Sequence, residues 1–237
     1  MIARSLIAIF LSFVTLTSFG QNEFGNIHVK VIDAETNQPV PFANVYLNQT
    51  TIGGFANEQG EVDVKKIPFG THQLVVSEIG HIPQQRKLII KATQTMYITV
   101  TLRERMLDVV TVVAKHDRKW RRQFKRFEKM FFGSAHFKQC DITNPSALQF
   151  NDQNGQFIAD SKEPLKIENN YLGYKLDFVI TNCFFTAEKF NITGFARFEE
   201  KKGDEKQSNK WKEHREKIYR GSPQHFFPYG DRQCIAN

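Results

Sequence analysis

Alternate residues are apolar in the stretch Ile27-His28-Val29-Lys30-Val31, and the same alternation returns in Tyr97-Ile98-Thr99-Val100-Thr101-Leu102. A two-residue period of this kind is typical of β-strands with one buried face. Between these stretches lie further short runs of apolar and β-branched residues, at 43–47, 61–64, 73–76 and 87–90. Short strands at this spacing, with no helical period between them, predict an antiparallel β-sandwich.

Turn-forming segments separate the predicted strands, and they are rich in Asn, Gly and Pro at 33–39, 57–60 and 68–70. Gly60 is predicted to supply a turn position with positive φ, and Pro68 with Gly70 a tight turn into the next strand. In the run at 43–47 and just before it, the pattern predicts that three side chains face the core: Phe42, Val45 and Leu47.

Four segments follow one another in a specific order: Val31-Ile32-Asp33, then Pro39-Val40-Pro41-Phe42-Ala43-Asn44-Val45-Tyr46-Leu47, then Gly54 with Asn57-Glu58-Gln59-Gly60-Glu61-Val62, then 67–81 from Ile67 to His81. Together they resemble the carboxypeptidase-like regulatory domain of gram-negative envelope proteins. The resemblance implies an Ig-like or transthyretin-like (prealbumin-like) sandwich over residues 21–113. It implies no catalytic residue.

The first twenty residues carry the pattern of a secretory signal peptide. Arg4 precedes an apolar stretch at 6–17, and small residues, Ser18 and Gly20, stand three positions and one position before Gln21. The apolar stretch is shorter than the roughly 20 residues that cross a bilayer, so a transmembrane anchor is the weaker alternative. We therefore expect residues 1–20 to be removed and the chain to be exported, to the periplasm or to the outer membrane.

Charge and cysteine content exclude further classes of protein. The formal net charge is +7, and an exported basic chain meets anionic envelope surfaces rather than nucleic acid, so no nucleic-acid partner is expected. Cys140, Cys183 and Cys234 form no C-x-x-C motif, which argues against a zinc ribbon or a thioredoxin-like site. Two alternatives remain for Cys140 and Cys183: they form a disulfide with each other, or they are two free thiols.

Residues 114–133 are predicted to be a linker that contains a basic amphipathic helix. In 116–132, four aromatic residues recur at helical spacing, Trp120, Phe124, Phe127 and Phe131, and Gly133 is placed to end the helix. The remaining positions are mostly Arg and Lys. We expect the aromatic face to pack on the following domain, and peripheral contact with an anionic membrane through 116–132 is the alternative.

The stretch just before this helix, Leu107-Asp108-Val109-Val110-Thr111-Val112-Val113, resembles the segment that joins such a sandwich to the plug of TonB-dependent receptors. A closing strand or linker strand is the favoured interpretation.

Residues 134–237 are predicted to form a second, β-rich (α+β) domain of unknown function, which gives the chain two amphipathic helices in all. Strands are expected at 147–150, 156–159, 165–168, 174–185 and 191–198, the last two as a hairpin, and a helix at 207–219. Leu176, Phe178 and Ile180 are predicted to share one face of the hairpin. The stretch from Phe227 to Cys234, close to the end of the sequence, stops abruptly, so a truncated C-terminus stays an open alternative.

Motifs of known chemistry are missing from the sequence. None of the His residues begins H-x-x-E, and H-E-x-x-H, G-x-S-x-G, a P-loop and G-x-G-x-x-G do not occur. We therefore expect no catalytic residue, no metal ligand, no cofactor and no small-molecule substrate. His72 and His81 flank one strand, but two His residues do not make a metal site.

The sequence thus predicts a non-catalytic, exported accessory or interaction protein of the cell envelope, whose partner is a protein or an envelope or glycan surface. A carbohydrate-binding module is one alternative, since Asn169, Asn170 and Tyr171 with Trp120 and Trp211 could form a sugar-stacking surface. A truncated TonB-dependent receptor or outer-membrane barrel-associated protein is another, based on 107–113. A hydrolase that lacks a recognisable motif is the remaining class.

Overall fold

The computed structural model describes residues 24–105, 118–133, 137–153, 155–186 and 189–220. Predictions about the signal peptide, the segment 107–113 and Cys234 concern residues outside these ranges. The described chain is mainly β, with helices α1 (Arg118–Phe132) and α2 (Glu205–Arg220). The strands are β1 (Phe24–Asp33), β2 (Asn44–Leu47), β3 (Gly53–Phe55), β4 (Glu61–Pro68), β5 (Gly70–Ser77), β6 (His81–Ile82), β7 (Gln84–Ile90), β8 (Thr95–Glu104), β9 (Cys140–Ile142), β10 (Leu148–Gln153), β11 (Gln156–Ser161), β12 (Leu165–Asn169), β13 (Tyr174–Phe185) and β14 (Phe190–Glu200).

The first eight strands form a β-sandwich, as predicted. One sheet has the order β4-β1-β8-β6 and the other β3-β2-β5-β7. The alternation in β1 places Ile27, Val29 and Val31 in the core between the sheets, where they meet Val45 and Leu47 from β2. Gly60 has the predicted positive φ of 72°, and Gly70, with φ of 139°, is the first residue of β5, one residue after Phe69.

One strand pair departs from the predicted antiparallel arrangement. β1 pairs with β8 in parallel, with Asn26 aligned to Thr95 and Asp33 aligned to Leu102. Parallel neighbours need a long crossover connection, and this connection includes the strands of the other sheet, β2, β3, β5 and β7. Since the alternation of side chains is the same for both directions, the sequence pattern could not distinguish them.

The prediction that Phe42 faces the core is wrong. Its side chain is 66% exposed, and its φ of 58° lies in the left-handed region. The residue belongs to a tight turn before β2, in which its backbone N–H donates to the carbonyl of Ala56. The turn interrupts the period of two, so Ala43 rather than Phe42 points inward.

We expect the change Phe42→Gly to leave the sandwich as stable or to raise its free energy of unfolding by up to about 1.5 kcal/mol. Glycine removes the left-handed strain of roughly 1–2 kcal/mol and adds about 0.5–1 kcal/mol of backbone entropy to the unfolded chain. The change Val45→Ala, at a fully buried position, should cost about 2 kcal/mol. Urea unfolding of both variants measures the contrast, and a larger loss for Phe42→Gly would contradict the exposed turn.

The remaining strands form a C-terminal sheet of order β10-β11-β13-β12-β9, with β14 along the other edge of β13. The predicted hairpin is confirmed: β13 and β14 pair from Tyr174–Glu200 to Phe185–Phe190, with an irregularity near Thr181. Leu176, Phe178 and Ile180 share one hydrophobic cluster, as predicted.

Helix α1 packs with its aromatic face on this cluster, which confirms the predicted docking. Phe127 is fully buried, and Trp120, Phe124 and Phe131 are partly buried against the same core. The Phe131 ring meets Phe178 edge-on at 5.2 Å between centroids. The helix ends at Phe132, before Gly133 with φ of 72°. The aromatic side chains are therefore used inside the protein and are not free to enter lipid.

Helix α2 extends from Glu205 to Arg220, slightly beyond the predicted range of 207–219. The earlier start has a local cause, because the Asp204 carboxylate accepts a hydrogen bond from the backbone N–H of Gln207 at 2.7 Å. A side-chain acceptor at this position satisfies one of the free N–H groups of the first turn.

Candidate functional site

The sandwich and the C-terminal sheet meet where the turn after β2 lies along the outer edge of β14. Gln49 N–H donates to the Ala196 carbonyl at 2.8 Å, and Phe198 N–H donates to the Thr50 carbonyl at 3.0 Å. The Asn48 side-chain oxygen accepts from Ala196 N–H at 3.0 Å. We call this contact the junction. It satisfies backbone groups that an exposed edge strand would leave unpaired.

Arg197 supports the junction from the C-terminal sheet. Its guanidinium donates to the side-chain oxygen of Asn44 at 2.6 Å, and it lies 4.6 Å from the centroid of the Phe55 ring, a cation–π geometry. Tyr46, two residues beyond Asn44, has a buried hydroxyl, and burial raises the pKa of this phenol. No local sequence signal pointed to Arg197, because its partners lie about 140 to 150 residues earlier in the chain.

A groove lies between the sandwich and the C-terminal sheet. Its walls include Ile79, His81 and Arg105 from the first and Lys162, Pro164 and Val179 from the second. Its volume is about 160 Å³, whereas sites for drug-sized ligands usually have about 300 Å³ or more. Arg105 links the two walls by donating to the Ser161 carbonyl at 3.2 Å.

His81 faces two carboxylates beside this groove. Its Nδ1 is hydrogen-bonded to Glu78, and its Nε2 lies 3.4 Å from an oxygen of Asp33. A general base needs a free ring nitrogen toward a nucleophile, and here both nitrogens face carboxylates. His72 has a different partner, the Pro68 carbonyl at 2.7 Å. Within the described ranges, no group of three or more His, Cys, Asp and Glu side chains could hold a metal ion.

Asp33 is held as an anion by the turn that follows β1. The backbone N–H and the hydroxyl of Thr36 each donate to it at 2.8 Å, and the backbone N–H of Glu35 donates at 3.1 Å. These bonds, led by that of the Thr36 backbone, lower the pKa of Asp33 from 3.8 to about 2.

The lowered pKa predicts an acid-sensitive contribution of Asp33 to stability. The unfolded chain takes up this proton near pH 3.8 and the folded chain only near pH 2, so the contribution is complete above pH 3.8 and is lost as the pH falls through 2. The stability difference between wild type and Asp33→Asn should therefore shrink across this window. This prediction is tested by measuring the urea midpoints of both proteins from neutral pH downward. The variant Thr36→Val removes only the hydroxyl donor to Asp33, so its stability difference from wild type should change less between pH 3.8 and pH 2.

The two described cysteines are free thiols, so the alternative of a Cys140–Cys183 disulfide is not realised. Burial raises the pKa of both, for Cys183 to about 11. A cysteine nucleophile must be a thiolate near neutral pH. Neither thiol meets this condition.

Helix α2 is fixed to the turn at 170–173 by three side chains that donate to consecutive carbonyls. Trp211 donates to Asn170 at 3.2 Å, and Arg215 donates to Leu172 at 2.8 Å and to Gly173 at 3.3 Å. His214 is hydrogen-bonded to the Tyr171 carbonyl at 2.8 Å. The role of Arg215 as the donor to two carbonyls was not predicted from the sequence.

The proposed sugar-stacking surface does not form around the two tryptophans. Trp211 is only 7% exposed, and Trp120 stacks on Phe124 within α1. The Asn170 side chain is occupied by Asp141 at 2.9 Å and by Lys201 at 2.7 Å. The indole rings that a sugar would need are thus engaged in packing. Among the described helices, none is long and apolar enough to cross a bilayer.

Comparison with known structures gives only distant similarity. BcpA, the major pilin subunit of Bacillus cereus, is 18% identical over 35% of this chain and 30% of the pilin, with a TM-score of 0.29. A candidate carbohydrate-binding protein from Bacteroides uniformis is 10% identical over 64% of this chain and 56% of its own, with a TM-score of 0.28. A DUF3823 family protein from Parabacteroides merdae is 10% identical over 74% of this chain and 80% of its own, with a TM-score of 0.26. This chain thus spans less than two thirds of the pilin's length, and similarity at such scores supports no functional conclusion.

The family comparison is specific to the sandwich. No curated protein matches the chain. Residues 27–113 match the family model of the CarboxypepD_reg-like domain, which confirms the resemblance seen in the sequence. The similarity to the CarboxypepD_reg-like domain therefore lies in the β-sandwich of this chain.

Proposed function

We propose that this chain is a non-catalytic, exported accessory or interaction protein of the cell envelope, in which the sandwich and the C-terminal sheet act as one scaffold. The junction carries the proposal. Three hydrogen bonds at 2.8–3.0 Å join β14 to the turn after β2, and Arg197 adds a side-chain bond to Asn44. A continuous contact of this kind holds the sandwich and the C-terminal sheet in a fixed arrangement, which suits a protein that presents binding surfaces to its partners.

The state of the reactive groups supports a non-catalytic role. Both nitrogens of His81 face carboxylates, and the pKa values of Cys140 and Cys183 are raised by burial. Arg215 is taken up by backbone carbonyls. His81 and Arg215 therefore have structural partners in place of a substrate, and burial disfavours the thiolate form of both cysteines.

Two separate hydrophobic cores support the proposed division into a domain at 21–113, a helical linker at 114–133 and a domain at 134–237. One core lies within the sandwich, and the other joins α1 to the C-terminal sheet. Limited proteolysis should first cut between Arg103 and Lys119 and release a stable sandwich. First cuts inside β1 to β8 would contradict the division.

Export and lack of catalysis can be tested on the full chain. Expressed in a gram-negative host, the protein should be recovered from the periplasm or the outer membrane with its N-terminus near Gln21. A cytoplasmic product that retains residues 1–20 would overturn the exported role. Turnover of peptide or glycan substrates that disappears in the variant His81→Ala would overturn the non-catalytic role, and His72→Ala is the matched control.

A further inference from the structure

Four cations form a straight row on α1, and we call this row the cationic stripe: Arg118, Arg122, Lys125 and Lys129. Their spacing of four, three and four residues places them on one side of a helix with 3.6 residues per turn. All four side chains are exposed. The stripe is about 16 Å long, given a rise of about 1.5 Å per residue.

The cationic stripe lies opposite the buried aromatic face. Phe127 is separated from Lys125 and Lys129 by about 160° of helical rotation in each direction, since successive residues turn by about 100°. Phe127 is fully buried against the C-terminal sheet. The cations therefore point away from the protein.

No described acidic group neutralises the stripe by an ion pair. Within the described part of the chain, the acidic groups that interact with α1 include Glu128 on the helix itself, Asp141 and Asp152. Asp152 is engaged by Gln123 at 2.9 Å and by Arg126 at 3.9 Å. Burial, and then the nearby charge of Asp141, raise the pKa of Glu128, whereas the charge of Lys125 lowers it. None of these three carboxylates forms a salt bridge with a cation of the stripe, whose four positive charges lie within about 16 Å.

The other side of the C-terminal sheet is turned toward the sandwich. Val179 lines the groove beside Ile79 and His81. Arg197 lies opposite Asp177 in the β13–β14 register, and its side chain donates a hydrogen bond to Asn44 of the sandwich. The C-terminal sheet therefore lies between the sandwich and α1. A flat, extended partner can approach the stripe without meeting the sandwich.

We propose that the cationic stripe binds the phosphate headgroups of an anionic membrane surface by charge alone, without insertion. No large apolar side chain of α1 is among the exposed ones, so the helix has nothing to insert. The choice of a membrane over nucleic acid rests on the proposed export. A straight row of cations on an outer layer complements a planar array of phosphates, and each Lys or Arg near such a surface adds to the affinity.

The test is co-sedimentation of the purified chain from Gln21 onward, which lacks the apolar stretch at 6–17, with vesicles of phosphatidylcholine that contain or lack phosphatidylglycerol. We expect binding only to the anionic vesicles, and weaker binding as salt shortens the Debye length. The variant Arg118→Gln/Arg122→Gln/Lys125→Gln/Lys129→Gln should lose about 100-fold or more in partition coefficient. The control Lys65→Gln/Lys66→Gln/Lys87→Gln/Lys91→Gln removes the same charge from exposed sites on the sandwich and should lose far less.

Three results would overturn the proposal: equal binding to both kinds of vesicle, equal losses for the stripe variant and the control, or tighter binding to a single-stranded oligonucleotide that displaces the vesicles. Thermal melting of both variants checks that they fold. Because all the substituted side chains are exposed, we expect little loss of melting temperature. Because purified protein is used, absence of vesicle binding would leave the export experiment unaffected, and failed export would leave a positive vesicle result standing.

Discussion

Replacing Phe127 with alanine is expected to lower the free energy of unfolding by about 3–5 kcal/mol. The side chain is fully buried, and its ring lies 5.1 Å from that of Phe131 and 5.7 Å from that of Phe150, centroid to centroid. Its removal would leave a cavity between α1 and the C-terminal sheet, and the neighbouring rings are too rigid to fill it. Denaturant unfolding, followed by the fluorescence of Trp120 and Trp211, measures the loss.

Phe190 offers a matched control for this change. It lies at the tip of the hairpin and is 74% exposed, so Phe190→Ala should alter the free energy of unfolding by no more than about 0.5 kcal/mol. If Phe127→Ala proved as mild as the control, the aromatic face of α1 would not be docked. The cationic stripe would then lose its fixed position on the outer layer.

The second large effect is expected at Gly173, where alanine should cost about 2–4 kcal/mol. Gly173 has φ of 69°, and a Cβ atom there would overlap the indole ring of Trp211. The left-handed backbone costs a residue with Cβ about 1 kcal/mol, and the forced displacement of a packed ring adds about 1–3 kcal/mol. Trp211 must shift, and its hydrogen bond to the Asn170 carbonyl would be lost with it.

Gly155 separates these two contributions. Its φ is 75°, close to that of Gly173, but a Cβ atom there would meet nothing within 4 Å. The change Gly155→Ala should therefore cost only the backbone part, about 1 kcal/mol. Equal losses at both glycines, measured by urea unfolding, would show that α2 does not pack tightly on the turn at 170–173.

Local patterns in the sequence were sufficient to place most strands and both helices. The alternation in β1 and β8 predicts which faces of these strands are buried in the sandwich. The four aromatic residues of α1 predict which face of the helix packs on the C-terminal sheet. Both are short-range signals, because burial repeats with the period of the local structure. The two-residue strand β6 and the three-residue strands β3 and β9 are too short for any period to be visible.

Contacts between distant segments were not predictable in the same way. The residues next to Arg197 in the sequence do not indicate that it donates a hydrogen bond to Asn44. Asn48 has the sequence features of an ordinary turn residue, and its role becomes visible only when β14 lies beside it. The sequence also gave no indication that Tyr46 would be buried at this position in β2. Such positions depend on how two separately predicted units meet, which a single sequence does not encode as a pattern.

The parallel pairing of β1 with β8 has a mechanical consequence. The chain enters the sandwich at one end of this pair and leaves at the opposite end, because both strands run in the same direction. A pulling force applied between the ends of the sandwich therefore acts along the two strands and loads the bonds of the aligned residues together, in shear. If the terminal strands were antiparallel neighbours, the same force would pull them apart from one end and break their hydrogen bonds one at a time. For a protein held between an anchored surface and a moving partner, this sandwich would resist tension along the chain.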